Sequence, residues 1–572
     1  MAERILDGGE VLVEVLNNHG VEYIFASPGS EWPPLWEALS RRKAEGDPAP
    51  EYVTCRHESL AVGAAGAYWR STGKLPAVML HTTVGSLHCA TALRGALHEG
   101  IPMMVMAGES IGYGEMDMAD PGPQWQQELS DIGGPTRLLS QVTKWSATIR
   151  TVETVADTFH RACMVAQAAP AGPTFVTAPI ELLLQKRATP FIPAPPRQAA
   201  TSLVDEAMIT EVAQLLHGAA HPVVIVESAG RDPSTVDTLV QMAELLALPV
   251  VEAAVPSCTN FPTDHPLHQG FDVTPFIAEA DVVLLLDSPT PWHPASSGPG
   301  EGCTIIDFSP NPERHLRAYH GYRIDISVRG PLGPSIGALA AAVLALDPRK
   351  GPDAARFEQR AAAFEEMHRA RRQGWADEAV AAKDDSPIDP RWAMRVLNEV
   401  IPDDALLVYE LISHRRQLQP YMERRQPGES LRSFGGLGQG LPNALGMKIA
   451  NPDKLVVVML GDGAFNYNPV PSCFGMCQEQ GRPILVILLN NLMYQSQQNS
   501  LNHMYPEGYG REIGPTFATS IAPHPDYPKL VEAFGGWGIA IDKPEEIVPA
   551  IKQGIQAVLD GKPALVDILL SR

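Results

Sequence analysis

The chain has few cysteines, no long apolar run and a deficit of basic residues. Its 572 residues include seven cysteines, and none of them forms a Cys-x-x-Cys pair. An odd, scattered set indicates neither a disulfide framework nor a zinc site, and it predicts a reducing, cytoplasmic location. No apolar run approaches the roughly 18 residues that a membrane helix requires, so no membrane association is expected.

The shortage of basic residues also excludes a class of partner. Lysine and arginine number 44 against 66 acidic residues, which gives a formal charge of −22. Such a chain repels the phosphates of nucleic acid, so no nucleic-acid partner is expected. With 45% hydrophobic and 19% charged residues, the composition is that of a globular protein. The length suffices for three or four domains.

What the sequence does have is a pair of apolar runs that end in polar residues. Residues 455–460 and 484–489 read as buried parallel strands, and they lead into Gly461-Asp462-Gly463 and Asn490-Asn491. Ligands bind at the carboxyl ends of strands in such sheets. Asp462 and Asn491 offer the oxygen ligands that Mg²⁺ prefers, while the two glycines let backbone approach an anion. On its own, Gly-Asp-Gly is also an ordinary turn.

The amino-terminal third repeats this arrangement of strand ends. A strand at 21–26 leads to Ser30, which is either the N-cap of a helix at 32–42 or a hydroxyl facing a site. Glu58 opens a helix rich in glycine and alanine, where a carboxylate complements the helix dipole. A strand at 77–80 ends at His81, and nearby Trp32 is expected to offer apolar surface.

Taken together, these motifs resemble a known enzyme family. Gly-Asp-Gly followed by Asn-Asn, Glu58 before a small-residue helix, and the glycine-dense stretch 433–442 are similar to thiamine diphosphate (ThDP) enzymes of the acetolactate synthase, benzoylformate decarboxylase and pyruvate decarboxylase group. The resemblance implies an α/β fold of three Rossmann-like, doubly wound domains. These are a pyrimidine-binding domain at 1–188, a central domain at 200–348 and a diphosphate-binding domain at 386–572. The proline-rich stretch 190–198 reads as a linker.

The resemblance also implies which residues bind the cofactor. Asp462, Asn491 and the main-chain carbonyl of Met493 would hold Mg²⁺, and Glu58 would contact the aminopyrimidine of ThDP. Leu437 would bend the cofactor and Gly435 would supply a carbonyl. The other residues implied in cofactor binding are Ser413, His414, Gly461, Gly463 and Ala464. Because Glu58 and Asp462 meet at one cofactor only across a subunit interface in this family, a homodimer or homotetramer is expected.

For the reaction, the resemblance favours decarboxylation of a 2-oxo acid through an enamine intermediate. Ser30, His81 and His293 occupy positions similar to the pocket residues of benzoylformate decarboxylase, although His293 fits a packing or surface role equally well. The alternative is an acetolactate synthase-like carboligase, which the stretch 503–508 favours. A catalytically silent scaffold is the non-enzymatic alternative. No GxGxxG follows a strand of the central domain, so nothing there indicates a dinucleotide.

Overall fold

Three parallel β-sheets organise the chain. The computed structural model describes residues 5–115, 117–129, 131–188, 204–252, 256–350, 353–434, 436–514 and 519–571. The predicted linker 190–198 and Gly435 therefore lie outside the described residues. Every strand pair inside the three large sheets is parallel, and the predicted class of three α/β domains is confirmed. The predicted domain limits stay predictions.

The first sheet has six strands in the order β3-β2-β4-β5-β7-β6. A two-stranded antiparallel ribbon of β1 and β8 lies beside it. The strands are β1 (Ile5–Leu6), β2 (Tyr23–Ser27), β3 (Glu51–Thr54), β4 (Ala77–Leu80), β5 (Met103–Glu109), β6 (Trp145–Thr148), β7 (Pro173–Pro179) and β8 (Arg187–Ala188). The helices are α1 (Gly8–Asn18), α2 (Pro33–Glu45), α3 (Glu58–Thr72), α4 (Thr83–His98), α5 (Gly134–Leu139), α6 (Val155–Gln167) and α7 (Ile180–Leu184).

The central sheet has five strands in the order β10-β9-β11-β12-β13. Its strands are β9 (Pro222–Val226), β10 (Val250–Glu252), β11 (Val282–Leu286), β12 (Thr304–Ser309) and β13 (Ile326–Arg329). Its helices are α8 (Glu206–Gly218), α9 (Ser234–Leu246), α10 (Thr274–Ile277) and α11 (Leu332–Ala345), and the long helix α12 (Ala354–Ala381) follows.

The third sheet has six strands in the order β15-β14-β16-β17-β19-β18. Its strands are β14 (Leu406–Glu410), β15 (Ser430–Arg432), β16 (Val456–Gly461), β17 (Leu485–Asn490), β18 (Trp537–Ile541) and β19 (Ala564–Leu569). Its helices are α13 (Pro390–Val400), α14 (Arg415–Tyr421), α15 (Gly440–Ala450), α16 (Asp462–Phe465), α17 (Val470–Gln480), α18 (Gln495–Met504), α19 (Tyr509–Ile513), α20 (Pro528–Glu532) and α21 (Ile547–Leu559).

Small residues let the first and third domains pack closely through α3 and α15. A Cβ atom on Gly446 would lie 2.1 Å from the carbonyl oxygen of Ala64, so only glycine fits at that crossing. Asn443 Nδ2 donates a hydrogen bond of 3.1 Å to the carbonyl of Gly63. One buried hydrophobic cluster accordingly spans both sheets. The glycine and alanine content of α3 thus has a packing reason that is independent of any ligand.

A partly buried ionic cluster joins all three domains. Glu99, at the end of α4, pairs with Arg70 of α3, Arg231 of the central domain and Arg432 of β15. These positive charges hold the pKa of Glu99 at about 2 despite its burial. Removing one partner of such a cluster leaves uncompensated buried charge, so it fixes how the domains meet.

The structure corrects one detail of the amino-terminal prediction and adds strands. Helix α2 begins at Pro33 with Trp32 as its N-cap, so the N-cap prediction for Ser30 is wrong. The apolar patterns of the sequence also predict strands close to β3, β5, β7, β9, β10, β11, β12 and β14. They do not predict β1, β6, β8, β13, β15, β18 or β19. No helix among the described residues combines the length and apolarity needed to cross a bilayer.

Candidate active site

Glu58 is the first residue of α3, at the carboxyl edge of the first sheet. The preceding His57 caps this helix, since its Nδ1 accepts the Ser59 N–H at 3.2 Å. His88 on α4 lies 3.1 Å from Glu58 through its Nδ1 atom. The Glu58 side chain is only 14% exposed, so its position is set by these neighbours. Sequence reasoning placed Glu58 correctly in the first turn but did not single out either histidine.

A buried carboxylate that the sequence analysis missed holds His81. Glu31 is fully buried, and its two carboxylate oxygens lie 3.0 and 2.9 Å from His81 Nδ1. A Cβ on Gly29 or Gly108 would clash with His81 or Glu31 at 1.9 Å, so the pair sits in a slot that glycine alone leaves open. Hydrogen bonding to Glu31 raises the pKa of His81. His81 therefore carries a proton on Nδ1, which leaves Nε2 as the ring nitrogen for proton exchange.

The structure brings His81 and Glu58 together. A Cβ on Gly85 would lie 3.0 Å from His81 Cβ and 3.3 Å from Glu58 Cγ, so the two side chains flank the same point on α4. Ser30 lies on the loop that precedes Glu31, and its Oγ accepts a 3.0 Å hydrogen bond from Gln124 Nε2. Three of the four predicted catalytic residues thus share the carboxyl edge of the first sheet.

Trp32 does not supply the apolar surface expected of it. The residue is completely buried in the first domain, and its indole N–H donates to the carbonyl of Leu80 at 3.0 Å. That expectation is wrong, because Trp32 is a core residue that ties the start of α2 to the end of β4. Apolar surface on the same edge comes instead from Ile111 and Tyr113, which are exposed on the loop after β5.

Asp462 lies at the carboxyl end of β16, the third strand in the order of the last domain. Its Oδ1 accepts the Gly463 N–H at 2.9 Å, whereas Oδ2 is buried without a partner among the described residues. Burial raises the pKa of Asp462 to about 6, and the N–H groups of Gly463, Leu492 and Met493 oppose that rise. An unpartnered buried carboxylate oxygen costs stability and fits a site that binds a cation.

The predicted metal-binding loop after β17 lies beside Asp462 and is held by a chain of side chains. Asn490 Nδ2 donates to the buried Asp567 at 3.0 Å, and Asn490 Oδ1 accepts the Leu492 N–H at 3.1 Å. His524 Nε2 lies 2.8 Å from the other oxygen of Asp567. Asn491 Oδ1 accepts the Met493 N–H at 3.2 Å. Sequence analysis found Asn491 and Met493 but missed the Asp567 and His524 that support them.

A second buried glutamate fixes the glycine-dense loop. Glu410, the last residue of β14, accepts the N–H groups of Gly438 and Gly440 at 2.7 and 2.9 Å, together with that of Gln439. Asn468 Nδ2 donates to it at 3.0 Å. Burial raises the pKa of Glu410 to about 7. The loop therefore presents Leu437, which is partly exposed, on a rigid turn.

The remaining predicted residues lie at the same edge or elsewhere. His414 precedes α14, and its buried Nε2 lacks a partner among the described residues, while burial lowers its pKa to about 4. Ser413 is half-buried beside it. Gly461, Gly463 and Ala464 flank Asp462. His293 lies in an exposed loop after β11 of the central domain, and its predicted role stays a prediction.

Two family models match the parts of the chain that carry these two edges. Residues 6–131 match "Thiamine pyrophosphate enzyme, N-terminal TPP binding domain" and residues 413–568 match "Thiamine pyrophosphate enzyme, C-terminal TPP binding domain". The chain belongs to the thiamine pyrophosphate enzymes. Thiamine pyrophosphate is ThDP, so the predicted family is confirmed.

Relatives within this enzyme family cover nearly the whole chain. Acetolactate synthase of Bacillus subtilis is 24% identical over 98% of this chain and 92% of that protein. Benzoylformate decarboxylase of Pseudomonas aeruginosa is 22% identical over 97% of each chain. The structure of a ThDP-dependent 4-hydroxybenzoylformate decarboxylase of Rhodococcus jostii shares the fold, with a TM-score of 0.79, 24% identity and 99% coverage of both chains. The family includes both decarboxylases and carboligases.

Proposed function

We propose that this ThDP enzyme decarboxylates a 2-oxo acid and releases an aldehyde. The observation that supports this choice is the Glu31–His81 pair beside Ser30 and Glu58. When bound, ThDP would supply the electron sink for the electron pair left by departing CO₂. What remains for the protein is to bind the carboxylate, exclude water and deliver one proton to carbon.

Mg²⁺ would be held by three oxygens of the third domain. These are Asp462 Oδ2, Asn491 Oδ1 and the main-chain carbonyl of Met493, and the unpartnered state of Asp462 Oδ2 supports the assignment. The ionised form of Asp462 is the ligand, so metal binding opposes the raised pKa of that carboxyl. The buried, unpartnered Nε2 of His414 supports its predicted place beside the diphosphate. Glycine is favoured at 463 because a Cβ there would lie 2.9 Å from the Tyr494 ring.

His81 is assigned the proton transfer to the product carbon. Glu31 fixes the Nδ1 proton and raises the pKa of the ring, so Nε2 is protonated over a wider pH range than in a free histidine. The Ser30 hydroxyl on the same edge would orient the substrate carboxylate. Exposed Ile111 and Tyr113 favour a substrate with an apolar group. Glu58 would hydrogen-bond the aminopyrimidine, a role that its first-turn position permits.

The active unit is proposed to be a homodimer. One face of α4 exposes Val84 and Leu87, and Thr91 on the same face contacts the glycine-dense loop at Gly436. Exposed Leu437 and Tyr467 extend this apolar surface. A contiguous apolar surface at the edge of a binding site is typical of a protein interface. Analytical ultracentrifugation with activity measured across the boundary tests this, and a fully active monomer would contradict it.

The deciding experiment supplies 2-oxo acids one at a time, with and without acceptor aldehydes. Mass spectrometry identifies the products, and the Asp462→Ala variant serves as the cofactor-free control. Aldehyde as the main product without acceptor is expected. Release of CO₂ only in the presence of an acceptor, together with a hydroxyketone or acetohydroxy acid product, would instead establish the carboligase alternative. In that case His81→Ala should impair the coupling step rather than aldehyde release.

A further inference from the structure

Three metal-ligating side chains converge at the start of α3. His57, Glu58 and His88 each offer one ligand atom within 4.8 Å of the other two, and this is the one such group among the described residues. His88 Nδ1 lies 3.1 Å from Glu58 Oε2. The rings of His57 and His88 are nearly parallel, at 10°, with centroids 5.6 Å apart.

Two imidazoles and one carboxylate form the ligand set of open zinc sites. Such sites place protein ligands at about 2.0–2.2 Å from the metal and leave a fourth position to water. Two ligand atoms at that distance in tetrahedral geometry lie about 3.4 Å apart. The 3.1 Å between His88 and Glu58 therefore needs only a small adjustment to accommodate a cation.

His57 would keep a hydrogen-bond partner for its ring if Nε2 bound the metal. Nδ1, which accepts the Ser59 N–H in this structure, would then carry the proton and donate it to Ser59 Oγ, 2.9 Å away, in place of that bond. Metal-binding histidines commonly donate their other N–H to such a partner.

Glu58 and His88 differ in exposure within the single chain. The side chain of His88 is 63% exposed on α4, whereas that of Glu58 is 14% exposed. Glu58, the less exposed of the two, would anchor the cation, and His88 would complete the site from α4. A His–Glu pair alone offers two ligands, whereas His57 supplies a third here.

We propose that His57, Glu58 and His88 bind a transition-metal dication of the Zn²⁺ class in the cofactor-free enzyme. Because Glu58 is the residue assigned to the aminopyrimidine, a metal held there excludes productive binding of ThDP. This competition rests on the proposed function, whereas metal binding itself does not. The site differs in place and chemistry from the oxygen-ligand site of Asp462, which suits Mg²⁺.

Cobalt titration of the full-length, cofactor-free protein tests the metal site. Co²⁺ should give the intense visible absorption of a four-coordinate N/O site at one ion per chain, and Zn²⁺ should abolish it. His88→Ala, at an exposed helical position, and Glu58→Gln should each weaken binding by about 10-fold or more. His315→Ala, an exposed histidine of the central domain, is the matched control and should leave binding unchanged.

Each result decides one part of the inference. Absence of the absorption band, or equal loss in His315→Ala, overturns the metal site. Addition of ThDP with Mg²⁺ should bleach the band, and a band that persists overturns the competition while the metal site stands. A chain that binds Co²⁺ as expected but decarboxylates no 2-oxo acid would refute the proposed function and leave the metal site intact.

Discussion

The first and third sheets have the same strand order but different chemistry at the same edge. Numbered within each domain, both run 2-1-3-4-6-5. After the third strand, the first domain places His81 and the third domain places Asp462. After the fourth strand of the third domain comes Asn491, a candidate metal ligand. The same strand order thus supports a proposed proton-transfer site at the edge of the first sheet and a proposed metal site at the edge of the third.

Buried glutamates illustrate the same contrast. Glu31 of the first domain pairs with one ionisable ring, that of His81. Glu410 of the third domain accepts backbone N–H groups from Gly438, Gln439 and Gly440, which do not titrate. Glu31 raises the pKa of His81, whereas Glu410 fixes the conformation of the glycine-dense loop. The fold supplies the edge, and the side chains there decide what it does.

The sharpest test of this contrast removes the metal ligand. Asp462→Ala should abolish ThDP binding at Mg²⁺ concentrations that saturate the parent, because the other carboxylate beside this loop, Asp567, is already bonded to Asn490 and His524. Isothermal titration calorimetry with ThDP measures it. Asp453→Ala, an exposed aspartate of the same domain, should bind normally. If Asp462→Ala bound ThDP as the parent does, the carboxyl edge of the third sheet would not be the metal-binding site.

The next largest effect concerns Glu58. Glu58→Gln keeps the size of the side chain but removes its acidity, so ThDP should still bind while exchange of the C2 proton slows by on the order of 10²-fold or more. Proton NMR of the quenched cofactor after transfer to D₂O measures that rate. Glu479→Gln, which changes a carboxylate that pairs with the nearby Arg56, is the control. Exchange within a few-fold of the parent would show that Glu58 is not the proton-transfer partner.

The strands of the third sheet show which parts of the fold the sequence predicts. The two strands β16 and β17 were placed within about one residue, because strands buried on both faces are continuous apolar runs. Strand β19 was missed because Asp567 interrupts its apolar run with a buried carboxylate. Strands β15 and β18 are the two edge strands of the third sheet; β15 is only three residues long, β18 is half-exposed, and both lack that pattern.

The candidate site residues also fall into two groups, those within sequence motifs and those that only the fold brings together. Asp462, Asn491 and Glu58 stand in motifs, so pattern matching found them. Glu31 has no motif, and its burial depends on Gly108, a residue on another strand. Its one local signal is a glutamate just after a strand end and before a helix that begins with proline. Asp567 and His524 are far apart in sequence and meet only in the folded chain.

A smaller effect is expected from neutralising Glu31. Glu31→Gln can still accept the Nδ1–H of His81 but lacks the negative charge, so the pKa of His81 should fall from its raised position. The proton on His81 is then lost at lower pH, and the alkaline limb of the kcat profile should shift to lower pH, with a loss of about 10-fold near neutrality. Profiles of the parent and variant measure this shift. Glu37→Gln, an exposed residue of α2, is the control. An unshifted limb would mean that Glu31 only packs against His81.

The smallest effect should come from the support of the metal-binding loop. Asp567→Asn loses the charge and puts an amide N–H where the second oxygen was, so Asn490 and His524 can no longer both donate to this side chain. The loop at Leu492 and Asn491 should then be less well positioned, and the Mg²⁺ concentration for half-maximal activity should rise by about threefold to tenfold. Saturating Mg²⁺ should restore kcat, a rescue that general destabilisation would not show.

Asp542→Asn, which changes an exposed aspartate after β18, is the control and should leave the Mg²⁺ requirement unchanged. A lowered kcat at saturating Mg²⁺, with no change in the half-saturating concentration, would show that Asp567 stabilises the sheet rather than the metal site.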